Sequence, residues 1–474
     1  MRVVAIGGSD AGISAALRAR ELDPTAEVTV VLADTYPNFS ICGIFYYVSG
    51  DVADWRDLAH RSAADLEATG MMLRLDTVAR QIDADAHRVL LAPAEGGEEW
   101  LEYDALIVGT GATPVRPPID GLDRLGADDG VHMLHSMGDT FALMRSLEQH
   151  PVERAMIVGA GYIGLEMAEA LSARGLVVTQ VEQLPEVLPT VDPELGTLVH
   201  AELERHGIEV SCGTRVEAIA AAPAGSPGRL QVRATGPDEQ PLCYPADVVL
   251  VSVGVRPDSD LAASAGAKLG IKAAIVVDRQ MQTNLPDVFA AGDCVVTHHR
   301  LLGASYLPLG TTAHKQGRIA GENAVGGSRE YAGSLGTQVV KVFDLVAART
   351  GLRDHEATKA GFDPLSVTSE ADDHKAYYPG SHRITMRYTG DRDDGRLLGV
   401  QLVGHRKAEI AKRIDIPAAA IYNEMSVDAV SDLDLSYTPP LGSPWEAVQA
   451  GAQTWTRRAY ARPQRSAGSL RDPA

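Results

Sequence analysis

An α/β protein with two Rossmann-like units and a smaller α+β domain at its C-terminal end is the fold this 474-residue sequence predicts. Three observations lead there. An apolar strand runs into a glycine-rich turn and a helix at residue 2, and the same pattern returns near residue 155. Past about residue 330 the texture changes to short strands of alternating polarity.

The first unit fills the opening 34 residues. "RVVAIGG" (Arg2 to Gly8) is an apolar run ending in glycine, "DAGISAALRAREL" combines helical spacing with good helix formers, and "AEVTVVLAD" is a second β-branched run. Its turn, "GGSDAG", keeps Gly7 and Gly12 but carries Ser9 between them, and its acidic residue is Asp34. The second unit, "RAMIVGAGYIGLEMAEALSARGLVVTQVE", gives a strand over 155–158, Gly159, Gly161 and Gly164 in G-x-G-x-x-G spacing, a helix, and a strand ending in Glu182. Both turns follow a strand and open a helix, which is the context a dinucleotide-binding turn requires. Such glycines allow a tight turn, close approach of backbone to a pyrophosphate and close helix–strand packing, and the helix N-terminus adds N–H groups and partial positive charge. Glu182 is placed to accept hydrogen bonds from an adenosine ribose 2′-OH and would repel a 2′-phosphate, which favours NADH over NADPH.

Between the units, "LEYDALIVGTGATPVRPP" reads as a buried strand, a Thr110–Gly111 turn offering close backbone approach, and a proline-rich crossing between domains. "ADVVLVSVGVRPDSDL" repeats the pattern of strand, glycine (Gly254) and Arg-Pro exit. "TNLPDVFAAGDC" follows, an apolar strand running into Gly292 and Asp293, where one carboxylate can be aimed at a polyol chain. "TQVVKVF", "HRITMRY" and "LLGVQLVG" are the short strands of the last domain. The Arg-, Ser- and Ala-rich end of the chain reads as a flexible tail.

A chain of this length exceeds one ordinary core, so two or three domains are expected. Hydrophobic residues at 45% and charged residues at 22% are ordinary for a globular protein, and a net charge of −20 argues against nucleic acid or an anionic membrane as partner. No apolar run reaches the ~18 residues of a membrane span and no signal-peptide pattern opens the chain, so a cytoplasmic protein is expected. The four cysteines, Cys42, Cys212, Cys243 and Cys294, show no C-x-x-C spacing, so neither a disulfide framework nor a metal site is expected. Cys42 stands alone in "YPNFSICGIFYYVSG", an apolar and aromatic setting.

The stretches "GGSDAG", "NFSICG", "YDALIVGTGATP", "IVGAGYIGLEMAEAL", "VFAAGDC" and "PLGTTAHKQGRIAGENA", in this order over roughly residues 1–450, resemble the pyridine nucleotide–disulfide oxidoreductase superfamily. Within it, the chain is similar to the single-cysteine branch of coenzyme A-disulfide reductases, persulfide reductases, NADH oxidases and NADH peroxidases. The resemblance implies an FAD-binding domain over 1–112 and 250–328, an NAD(P)H-binding domain over 113–249, a dimerisation domain over 329–450 and a tail over 451–474. FAD would be held by Gly7, Gly12, Asp34, Thr110, Gly111, Gly292 and Asp293, with Asp293 on the ribityl chain and Thr312 and Ala313 at the flavin's pyrimidine edge. NADH or NADPH would be held by Gly159, Gly161, Gly164, Glu182 and Gly254, with Tyr162 covering the flavin and Glu166 beside the nicotinamide ribose.

The resemblance also gives Cys42 a role: a redox-active thiol against the flavin, its pKa lowered by a helix N-terminus starting at Gly43. Tyr47 stands where a C-x4-C pair would put a second cysteine, so Cys42 would cycle through a mixed disulfide, persulfide or sulfenic acid. "HKAYYPGSHRITMRY" and "LDLSYTPPLGSPW" are similar to coenzyme A-disulfide reductases, where tyrosines of a homodimer reach the active cysteine to bind or protonate a leaving thiolate; Tyr378 and Tyr437 are the matching positions. The implied activity is NAD(P)H-dependent reduction of a small disulfide, persulfide or polysulfide, coenzyme A disulfide included. The alternatives are an NADH oxidase or peroxidase cycling through Cys42 sulfenic acid, and a reductase of a protein electron carrier.

The sequence departs from the branch at four points. Asp10 stands where oxidases and peroxidases have histidine, which weighs against oxygen chemistry. Ile41 and Glu21 replace an asparagine and a basic residue associated with coenzyme A. Leu32 stands where an acidic strand end is common, leaving Asp34 to substitute.

Overall fold

The computed structural model describes residues 1–149 and 151–461, which form two compact units divided at Gly336/Thr337. No helix among the described residues is long and apolar enough to cross a membrane.

Unit one contains both glycine-turn sheets. The first is wholly parallel, in the order Val288–Ala290, Ala105–Val108, Arg2–Ile6, Glu27–Val31, Met72–Arg74. Its central strands are apolar on both faces, with Val3, Ala5, Val30, Leu106, Ile107 and Val108 at 0% exposure. The second sheet is also parallel, ordered Glu209–Ser211, Val177–Val181, Arg154–Val158, Val248–Val251, Val131–His132. The two Arg-Pro exits pair antiparallel with each other, Ala112–Pro114 against Val255–Pro257. The chain thus leaves the first sheet and returns to it along adjacent strands, and Val288–Ala290 closes that sheet's edge.

One helix contact fixes the geometry of the first glycine turn. The helix Asp10–Leu22 packs on the helix Gly310–Ala324 so closely that a Cβ at Gly317 would lie 2.2 Å from the Ala11 carbonyl oxygen, and one at Gly321 would lie 2.1 Å from that of Ala15. Only glycine permits this approach. It lays the N-terminus of the later helix over the start of the earlier one.

Unit two is a five-stranded antiparallel sheet, Gln338–Val342, Leu345–Gly351, Leu397–His405, Arg383–Asp391, Pro364–Asp372 in spatial order. The helix Ala447–Ala459 covers it. Trp455 is 1% exposed and its Nε1–H donates to the Leu365 carbonyl at 2.6 Å, while the Tyr388 hydroxyl donates to the Val448 carbonyl at 2.7 Å. This corrects the expected tail. Residues 451–459 are packed helix, because Ala447, Val448, Gly451, Ala452 and Trp455 recur at helical spacing on one buried face. The rest of that segment from residue 462 lies outside the described residues.

Candidate active site

In the first glycine turn, Gly7 lies at φ +114°, and its Cβ would sit 2.0 Å from the Gly109 carbonyl oxygen. A Cβ at Gly12 would sit 2.0 Å from the Gly7 carbonyl oxygen. Both glycines are therefore demanded by the protein's own backbone. Gly159 (φ +107°) and Gly164 repeat this in the second turn, against Ser252 and Gly159 carbonyl oxygens at 2.2 and 2.1 Å. Gly161 is different. Its φ of −78° suits any residue, and no protein atom lies within 4 Å of an added Cβ. The space in front of it, at the N-terminus of the 12-residue helix Tyr162–Ala173, is a cradle that a pyrophosphate fits. Gly111 (φ +77°) and Gly254 (φ +108°) likewise have nothing within 4 Å.

Glu182 is 7% exposed, and its two oxygens accept from the Ala160 N–H (2.8 Å) and the Leu184 N–H (2.9 Å). It therefore ties the strand end to the glycine turn, a structural role that its position alone did not reveal. Asp34 turns Oδ1 back to the Tyr36 N–H at 2.9 Å, and burial holds its carboxyl above the usual range. The Thr110 hydroxyl donates to the Asp258 carbonyl rather than outward.

The residues expected on the flavin side are largely desolvated. Asp293 is pushed up to about 6 by burial first and by Asp10 second, against a hydrogen bond from the Leu309 N–H. Close to it, the Tyr306 hydroxyl is buried with no partner, and burial and Asp293 raise its pKa. Asn38 is 2% exposed; its N–H donates to the Gly8 carbonyl (2.7 Å) and its Oδ1 is buried and unpaired. A phenol and an amide oxygen left without protein partners, with the desolvated Asp293 carboxyl, fit the hydroxyls and amides of the expected flavin dinucleotide. Thr312 (3% exposed) and Ala313 (6%) start the helix Gly310–Ala324, and both N–H groups donate to the Leu309 carbonyl. Gly292 lies at φ +88° and donates its N–H to Gln316 Oε1 at 2.9 Å.

Cys42 lies in a 3-10 turn, Ile41–Gly43, that leads into the helix Ile44–Ser49. The aromatic setting has a structural purpose. Tyr36, Phe39, Trp55 and Phe141 form one cluster with ring centroids 5.2–5.8 Å apart, which holds the loop before the cysteine. Arg174, just past the second glycine-turn helix, donates to the Val48 carbonyl at 2.7 Å and so joins the cysteine helix to the nucleotide helix.

The expected lowering of the Cys42 pKa is overturned. Cys42 is solvent-accessible, yet enough protein surrounds it that desolvation raises its pKa, and Glu166, Asp10 and Asp293 raise it further. The helix that follows is only six residues long and is preceded by a 3-10 turn, a short dipole to set against that burial. Carboxylates drawn from both glycine units thus bear electrostatically on this one sulfur. Tyr46 is a neighbour the sequence did not single out, pushed up to about 12 by burial and Glu166.

A second missed group is His314. Its Nε2 lies 3.3 Å from Asp10 Oδ1 and its Nδ1 lies 2.8 Å from Ser14 Oγ, so Asp10 holds the imidazole charged more readily than usual. More than three hundred residues separate the pair, and only the glycine-mediated helix contact brings them together.

In unit two, Tyr378 and Tyr437 are each 44% exposed. Burial and the neighbouring Tyr377 hydroxyl raise the Tyr437 pKa, so the phenol holds its proton. The Lys375 N–H reaches the Pro439 carbonyl at 3.4 Å, linking the two tyrosine segments. Tyr377 (73%), Leu441 (76%) and Trp445 (59%) add exposed apolar surface to the same segments.

Comparison with known proteins gives the same frame. The family model described as pyridine nucleotide-disulphide oxidoreductase matches residues 1–317, and that of the family's dimerisation domain matches 337–448. A NADH oxidase of Methanocaldococcus jannaschii is 32% identical over 96% of this chain and 98% of its own length. An NAD(P)H sulfur oxidoreductase (CoA-dependent) of Pyrococcus furiosus is 34% identical over 94% of this chain and 97% of its own. The solved structure of an NAD-dependent persulfide reductase from A. fulgidus superposes with a TM-score of 0.90 at 36% identity, covering 97% of this chain and 83% of that one.

Proposed function

Since the chain belongs to the pyridine nucleotide-disulphide oxidoreductase family, we propose that it is an FAD-dependent NAD(P)H oxidoreductase that reduces a low-molecular-weight disulfide, persulfide or polysulfide through Cys42. One observation carries this reading. The accessible thiol of Cys42 lies within electrostatic reach of Glu166 from the second glycine unit and of Asp10 and Asp293 from the first.

Bound FAD supplies two-electron chemistry, accepting hydride from NAD(P)H and passing the pair to sulfur. Gly7, Gly12, Asp34, Thr110, Gly111, Gly292, Asp293, Thr312 and Ala313 would hold it. Gly159, Gly161, Tyr162, Gly164, Glu166, Glu182 and Gly254 would hold the nicotinamide nucleotide. Cys42, as thiolate, attacks one sulfur of an R–S–S–R substrate; the Cys42–sulfur bond forms as the sulfur–sulfur bond breaks, and RS⁻ leaves. In the homodimer, the partner's Tyr378 or the partner's Tyr437 gives that thiolate its proton, the phenol acting as general acid. Two electrons from NAD(P)H then cleave the mixed disulfide, restoring Cys42 and releasing the second thiolate. Burial and three carboxylates oppose a charge on Cys42, and His314, which Asp10 holds charged more readily than usual, is the compensating group this frame offers. The enzyme would work as a homodimer through unit two, whose exposed tyrosine segments suit a partner subunit.

The oxidase reading keeps one specific support. Asp10 lacks the histidine of the oxygen-reactive relatives, but His314 brings an imidazole to within 3.3 Å of it. Turnover separates the two readings. NAD(P)H oxidation that needs added disulfide or polysulfide, and that falls about 100-fold or more in Cys42→Ser with FAD still bound, supports the reductase. Unchanged turnover in Cys42→Ser refutes it, and stoichiometric NADH consumption by oxygen alone selects the oxidase.

A further inference from the structure

A second constellation of reactive side chains lies behind the nucleotide turn, in residues the proposed chemistry does not use. Glu186 stands in the loop after the strand Val177–Val181, His200 on the helix Pro193–Arg205, and Cys212 just after the strand Glu209–Ser211. His200 Nδ1 lies 2.9 Å from Glu186 Oε1, and Cys212 Sγ lies 3.9 Å from that oxygen and 4.0 Å from that nitrogen. Three different donor atoms from three elements thus face one point.

The spacing has a chemical meaning. A tetrahedral ion with nitrogen and oxygen ligands at ~2.0–2.1 Å and sulfur at ~2.3 Å places N and O about 3.3 Å apart and sulfur about 3.6 Å from each. The observed triangle meets this with shifts of about 0.4 Å, within side-chain adjustment. The surroundings match an outer shell as well. The Val187 N–H donates to Glu186 Oε1 at 2.8 Å, and Glu204 Oε1 lies 3.7 Å from the far ring nitrogen of His200. The His200 and Glu186 side chains are 23% and 14% exposed, so the cluster is not sealed from solvent.

We propose that Glu186, His200 and Cys212 form a three-ligand site for a borderline-soft divalent cation of the zinc class, with water in the fourth position. Binding replaces the S–H bond of Cys212 by a sulfur–metal bond and releases that proton to solvent, so affinity falls as pH falls. The ion would lock the loop that backs the nucleotide turn. That loop already donates Leu184 N–H to Glu182 Oε1 at 2.9 Å and Leu188 N–H to the Ala160 carbonyl at 2.8 Å, and accepts the Gly213 N–H at the Leu184 carbonyl. Cysteine spacing gave no hint, because the ligands come from positions 186, 200 and 212 rather than from a C-x-x-C pair.

The test is titration of the chelator-treated full-length holoprotein with zinc chloride, by calorimetry and by metal analysis after dialysis, in a Cys42→Ser background that removes the competing thiol. The expected result is one zinc per chain, lost in Cys212→Ser and weakened at least tenfold in His200→Gln and Glu186→Gln. Cys243→Ser, at an exposed cysteine outside the cluster, should leave binding unchanged. Melting temperature checks that each variant folds, and His200→Gln reads the site if Cys212→Ser does not. No saturable binding, or binding that neither variant alters, overturns the proposal and leaves an ordinary hydrogen-bonded cluster.

Discussion

Replacing Gly161 with alanine separates a glycine kept for a ligand from one kept for the fold. At φ −78° and ψ −171° alanine is unstrained, and the added methyl meets no protein atom within 4 Å. Stability should therefore hold, or rise by about 0.4–1 kcal/mol because alanine restricts the unfolded chain. Nucleotide binding should not hold. A methyl where a pyrophosphate packs on backbone costs ~1–3 kcal/mol, which is roughly a 5- to 150-fold rise in the KM for NADH. Gly159→Ala is the contrasting case. There φ is +107° and the Cβ would lie 2.2 Å from the Ser252 carbonyl oxygen, so strain and clash together cost several kcal/mol, on the order of 2–6. Thermal melts and NADH saturation curves of both variants supply the comparison. If Gly161→Ala keeps the wild-type KM, or melts as low as Gly159→Ala, the cradle in front of Gly161 is not the pyrophosphate site.

Other perturbations address the thiol and the frame. Asp10→Asn removes one of the carboxylates that raise the Cys42 pKa, so the pH midpoint of Cys42 alkylation should fall; His314→Asn leaves Asp10 uncompensated and should raise it. Equal midpoints in both variants would dissociate this pair from the cysteine. His132 is 4% exposed and its pKa is pushed down to about 4, mainly by burial, so the unfolded state binds the extra proton first. Its stability contribution is present above about pH 6.5 and is lost as pH falls toward 4, amounting to about 3 kcal/mol. Denaturant melts of His132→Gln should show a flatter acid limb. Trp455→Ala should destabilise unit two by about 3–5 kcal/mol, visible as a lower melting temperature, and a drop below 1 kcal/mol would contradict the packed C-terminal helix.

The parallel sheets and glycine turns were legible because their signals are local: β-branched runs, G-x-G-x-x-G spacing and helix formers lie within thirty residues of one another. Cys42 stood out in the sequence as a lone thiol in an aromatic setting, and the structure leaves it accessible. Its charge environment was not legible, since Glu166, Asp10 and Asp293 come from three distant segments and add to the burial that sequence spacing does not report. The Asp10–His314 pair depends on Gly317 and Gly321 letting two helices touch, a tertiary fact with no local signature. For Glu182 the residue type and place were readable from a motif, while its two hydrogen bonds to backbone depend on where the neighbouring loop runs. The last helix was read as tail because arginine, serine and alanine dominate composition there, whereas one buried tryptophan decides the packing.

Non-reducing peptide mass spectrometry of the holoprotein, quenched after reaction with a small disulfide or polysulfide, interrogates the sulfur itself. The account predicts a substrate-derived adduct on the Cys42 peptide, cleared by NADH and missing in Cys42→Ser. An unmodified Cys42 in protein that is turning over, or an adduct confined to Cys212, Cys243 or Cys294, would contradict it.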